Sequence, residues 1–118
     1  MEAKEFDFEF PRGDTCPVSF SLTDANGEPL VPTETTEIYF TMKKNYNTAN
    51  VILQKRLSTG AITVTDGVCS FTLTHQDTAL MNYGKYNYDI QLKEGLYVKT
   101  LVIGEITLTN EATHLSNE

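Results

Sequence analysis

Basic residues are scarce in this chain: nine Lys and Arg stand against sixteen Asp and Glu, a formal net charge of −7. A surface of that sign repels a phosphate backbone and offers nothing to anionic lipid, so nucleic-acid and membrane-surface partners are not expected. Long apolar runs are missing too. No stretch approaches the roughly 20 residues of a helical membrane span. The opening Met1-Glu2-Ala3-Lys4-Glu5 leads into an alternating segment rather than a signal-peptide core, so the expectation is synthesis in a cytoplasm. Histidine and cysteine occur twice each, as His75, His114, Cys16 and Cys69. Neither histidine sits in a metal-ligand spacing, and there is no phosphate loop, calcium loop or Asn-x-Ser/Thr site. Asp24-Ala25-Asn26-Gly27 lacks the spaced acids a calcium ion needs. No metal and no cofactor is expected.

What is present is alternation. From Gly84 to Leu92, Tyr86, Tyr88, Ile90 and Leu92 fall on one side and Lys85, Asn87, Asp89 and Gln91 on the other. A period of two puts one face on a core and the other in water. Lys93-Glu94-Gly95 supplies a turn, and the return run to Thr109 completes a long hairpin. Gly104 interrupts that run and predicts a bulge or bend. Earlier in the chain, Phe6, Phe8 and Phe10 form a first strand that Pro11 ends. Arg12 to Thr15 turns, and Cys16, Val18, Phe20 and Leu22 share the face of a second strand. Asp24 to Gly27 is a turn, and Glu28 to Thr36, with Pro29 and Pro32, is an extended loop. Glu37 to Lys43 is a strand with Ile38, Phe40 and Met42 inward. Asn45 to Asn50 is a polar loop, and Val51 to Leu57 is a strand whose Lys55 and Arg56 suit an edge. Ser58 to Gly60 turns into Ala61–Thr65. Asp66-Gly67 is the strongest two-residue hairpin turn, followed by a strand with Cys69, Phe71 and Leu73 inward. Thr74 with Asp77 three positions on marks the start of one short helical crossover.

Seven to nine short strands with turn signals every ~8–12 residues predict an all-β chain, an Ig-like antiparallel β-sandwich with one helical crossover. An open barrel is the alternative. At 118 residues a single domain over 1–110 is expected, with a polar tail over 111–118.

No constellation for catalysis emerges. Asp7, Glu9, Asp89 and Glu105 fall on outward faces or strand ends, where charged side chains are ordinarily solvated. Cys16 and Cys69 point inward and read as inert packing thiols. Their strands should be antiparallel neighbours with each thiol near the start of its own strand. That separates them by ~13–17 Å, beyond the ~7 Å Cα limit of a disulfide. Arg12-Gly13-Asp14 spells the integrin tripeptide, but a turn explains it as well. The residues singled out are therefore structural: Tyr86, Tyr88, Gly84, Gly104, Asp66 and Gly67. Tyr86, just after the crossover, is the candidate tyrosine corner, its hydroxyl bonding backbone while its ring fills the core.

With those residues in view, the chain resembles the small Ig-like β-sandwich virion proteins of tailed bacteriophages and prophages. The resemblance rests on Arg12-Gly13-Asp14-Thr15, on Gly60-Ala61-Ile62 before Asp66-Gly67, and on Asp77-Thr78-Ala79-Leu80. It continues through Gly84-Lys85-Tyr86-Asn87-Tyr88-Asp89-Ile90, Val98-Lys99-Thr100-Leu101 and Gly104-Glu105-Ile106-Thr107-Leu108. It implies a non-enzymatic tail, baseplate or capsid-decoration component located in the virion. Its partners would be other virion proteins or copies of itself. The opening strand Lys4 to Phe10 is the edge expected to accept an added strand. The alternative is an adhesion or carbohydrate-binding module, for which Tyr46 is the exposed aromatic to watch.

Overall fold

The structure, a computed structural model, describes residues 4–24, 26–45, 50–79 and 81–110. Tyr46, His114 and the 111–118 tail lie outside those residues. The described chain runs β1 (Lys4–Glu5), β2 (Phe8–Pro11), β3 (Cys16–Ser21), β4 (Thr36–Lys43), β5 (Leu53–Arg56), β6 (Thr63–Thr65), β7 (Val68–Leu73), α1 (His75–Thr78), β8 (Gly84–Glu94) and β9 (Tyr97–Thr109). It is an all-β sandwich. One sheet has the order β1-β9-β8-β4-β5, with β2 also on β9, and the other is β3-β7-β6.

The alternating residues do what their period requires. Ile38, Phe40, Met42, Tyr88, Ile90, Val102, Ile106 and Leu108 of the larger sheet are buried against Val18, Phe20, Cys69, Phe71 and Leu73 of the smaller. A run of aromatic contacts links Phe20 through the exposed Phe6 to Phe8, Tyr88, Phe40 and Phe71, with centroid separations from 4.6 to 5.8 Å. Offset and edge-on pairs of this kind add to what area burial alone contributes. Asp66 and Gly67 both have positive φ, 53° and 80°, the I′ pattern that matches the twist of β6 and β7.

Three expectations need correction. The opening strand is two pieces, β1 and β2, and both run parallel to β9 rather than antiparallel. Pro11 is the last residue of β2, as expected, at an edge where no neighbour needs its missing N–H. The bulge is not at Gly104. Ile90 pairs with Val102 and Gln91 with Thr100, so Leu101 is the extra residue. Gly104 instead permits a close crossing, since a Cβ built there would collide with the Phe6 carbonyl. Its bare backbone lets the chain between β1 and β2 pass tightly over β9, and Asp7 Oδ1 accepts the Glu105 N–H at 2.9 Å. Finally, Lys93 and Glu94 belong to β8. The turn is Gly95-Leu96 alone, with positive φ (61°) only at Gly95, the II′ pattern.

Candidate functional site

Two places on the sandwich concentrate side chains beyond plain packing, one at each end of β8. At its start, the Arg12–Asp14 turn is fastened to the crossover. The Gly13 N–H donates to Thr78 Oγ1 at 2.8 Å, and Thr78 is fully buried. His75 Nδ1 lies 2.7 Å from the Gly13 carbonyl, which can only accept, so Nδ1 carries the proton. Arg12 Nη1 donates to the Met81 carbonyl at 3.1 Å, and its guanidinium sits 4.5 Å above the Tyr83 ring. The Tyr86 hydroxyl donates to the Asn82 carbonyl at 2.8 Å, as expected of a tyrosine corner. The short helix within this crossover begins with a capping box between Thr74 and Asp77. Asp77 also reaches across to Lys55 on edge strand β5, Nζ to Oδ2 at 2.9 Å.

This cluster is structural chemistry. Arg12 and Gly13 are committed to the crossover, so the Arg-Gly-Asp tripeptide is a stapled turn rather than an offered peptide. The other predicted residues take their places around it or the core. Gly84 opens β8 at φ 123°, and the Tyr88 hydroxyl donates to the Phe6 carbonyl at 2.6 Å. Gly67 packs its α-carbon so tightly on Pro29 that a Cβ would come within 2.8 Å of the proline Cβ. That contact was not legible in the sequence, where Asp66-Gly67 reads as a turn with nothing to say what the turn leans on.

Among the described residues, the two thiols do not come together. Cys16 pairs in register with Leu73 and Cys69 with Phe20, so the thiols lie apart on β3 and β7 and both are free. Burial pushes Cys69 up to about 11. Burial, helped by Asp14, also raises Cys16. Neither is poised as a nucleophile. Asp89 is half-buried rather than fully solvated: burial raises its pKa, with Lys43 opposing. No group of three or more His, Cys, Asp or Glu among the described residues could hold a metal ion. No helix among them is long and apolar enough to cross a membrane.

The second place, missed in the sequence, is the far end of β8. Beyond the last residues of β3, the inward face of the β8–β9 hairpin is met, among the described residues, by the Thr23–Pro29 bridge and Leu30 rather than by a named strand. Thr23, Asp24, Leu30, Leu92, Glu94, Tyr97, Lys99 and Leu101 line an open groove of about 380 Å³ there. The bulge at Leu101 creates it. By shifting register, the bulge pairs Lys99 with Leu92 and Tyr97 with Glu94, so both turn toward the groove. Two carboxylates on its walls are held by hydrogen bonds from nearby segments. Asp24 Oδ1 accepts the Asn26 and Glu28 N–H groups, and Glu94 Oε1 accepts hydroxyls of Thr33, Thr35 and Thr36. The groove opens beside Leu96 and Tyr97, which are 103% and 58% exposed, while Val98, 55% exposed, pairs with Lys93 on the opposite face.

No family model matches the chain, and no curated protein does. Among solved structures it is similar to the endo-β-1,4-mannanase from Thermotoga petrophila, with TM-score 0.57 and 12% identity over 89% of this chain and 18% of that one. It also aligns with a family 123 glycoside hydrolase from Clostridium perfringens, with TM-score 0.36 and 12% identity, covering 94% of this chain and 24% of that one. This chain thus spans less than a quarter of either protein. The first likeness speaks to the fold alone, and the second is too distant to carry an argument.

Proposed function

We propose that the chain is a non-enzymatic structural component of a tailed-bacteriophage virion, a tail, baseplate or capsid-decoration protein, acting by protein–protein docking in a symmetric assembly. One observation carries the reading. Blocks of sequence on which the phage resemblance rests, far apart in the chain, meet in a single three-dimensional unit. Arg12-Gly13 is bonded to Thr78 and Met81, Asp77 caps the crossover, and Tyr86 closes it from β8.

The rest of the molecule suits such a role. Its interior is filled by side chains that touch each other, leaving edges, loops and the hairpin tip to meet partners. Mass spectrometry of purified phage particles tests the reading. The chain should co-purify at a fixed copy number relative to the major structural proteins. Abundance in the lysate with absence from particles would remove it, and selective retention on a glycan surface would favour the adhesion alternative.

A further inference from the structure

We infer that the β8–β9 hairpin tip and its groove form a homotypic docking surface, in which a second copy of this chain fills the groove left open at the end of the larger sheet. The first argument is shape. One short segment carries both a projection and a recess: Leu96 stands fully exposed on the turn, while Leu30, Leu92 and Leu101 floor the groove beside it. A two-fold axis at the tip seats each Leu96 against the other copy's groove, the self-complementary arrangement of an isologous interface. Each copy then supplies apolar side chains to the groove that β3 and the loop after it leave open.

The second argument is charge. A chain of net −7 repels its own copies over most of its surface. The ionisable groups that form the tip or line the groove are Lys93, Lys99, Asp24 and Glu94, two of each sign. Glu28 and Glu34 lie on the flanking loop, outside the groove lining. Both signs at one tip allow a two-fold partner to place Lys99 against the facing Glu94. Exposed apolar residues in contiguous array, rimmed by charge, mark contact surfaces on soluble proteins.

The interface does not depend on the virion reading, since it is built from this chain alone. An interface confined to one tip and groove falls in the small class, below about 1,200 Å² in total, so the dimer is expected to be weak and concentration-dependent. Sedimentation velocity and light scattering across a dilution series measure it. The wild-type chain should pass from monomer to dimer, and Leu96→Asp with Tyr97→Asp should weaken association by at least about tenfold. Both substituted positions are exposed, so the variant should keep its circular dichroism and melting temperature. Lys99→Glu should weaken the dimer and make it salt-dependent, with repulsion relieved as ionic strength rises. A wild-type chain that stays monomeric to millimolar concentration would overturn the inference. So would a dimer indifferent to the tip substitutions, or a tip that binds only a different protein.

Discussion

Tyr86 is the residue whose sequence position said most about its role. It follows a crossover, opens an alternating strand, and its hydroxyl meets the Asn82 carbonyl while its ring is buried. Tyr86→Phe keeps the ring and removes one hydrogen bond, so denaturant unfolding should show a loss of about 1 kcal/mol. An unchanged midpoint would deny the bond a role in stability. Gly104 taught the opposite lesson. A glycine inside a strand signals a bulge or a close approach, and only the fold shows that Phe6 crosses there. Gly104→Ala forces backbone apart and should cost on the order of 4 kcal/mol, at the upper end for single substitutions. A variant within about 1 kcal/mol of wild type, by the same denaturant assay, would mean the crossing strand yields easily. The thiols complete the residue scale. Two should titrate in denatured, unreduced protein, while Cys69, held up to about 11 by burial, should be unreactive in the native chain.

Among the elements, edge strand β5 and helix α1 are coupled by a pair that the sequence could not place together. Lys55 sits opposite Phe40 on β4, an inward position, and its side chain is only 14% exposed where it meets Asp77. Period-2 reading assigns it to an edge, which is right, but the acid that justifies an inward lysine lies on a separate element. An inward charge on an edge strand also discourages strand pairing with other chains. Burial alone would raise the Asp77 pKa; the hydrogen bonds from Lys55 and Thr74 and the Lys55 charge hold it below the usual value. Its contribution is therefore complete above the unfolded carboxylate pKa of about 3.9 and is lost as pH falls through the lower folded value. Asp77→Asn should destabilise at pH 7 and converge on wild type in acid. Asp89 has the reverse sign. Burial raises it on the outer face of β8, with Lys43 opposing, so its ionisation weighs against folding above its folded pKa. Asp89→Asn should stabilise the chain at neutral pH, with the gain vanishing below about pH 3.9. Thermal melts of both variants across pH 3 to 7 resolve the two signs, covering about the span in which carboxylates titrate.

At the scale of the whole molecule, the layers were legible because alternation of Tyr, Phe, Ile and Leu leaves little choice of inward face, and Asp66-Gly67 fixes a register. The parallel seating of β1 and β2 and the groove were not. Both depend on where distant strands end relative to one another, and the groove on a bulge at Leu101 that no glycine or proline marks. The resulting picture is a sandwich whose inside holds a shape and whose rim, on the proposed reading, is left to make the contacts. Amide hydrogen exchange, compared between the isolated chain and the chain within purified particles, tests that division most directly. The account expects slowed exchange at the hairpin tip, Glu94 to Lys99, with the Tyr86–Leu92 and Val102–Leu108 segments equally protected in both. Identical exchange across the tip, with new protection confined to the core strands, would contradict it.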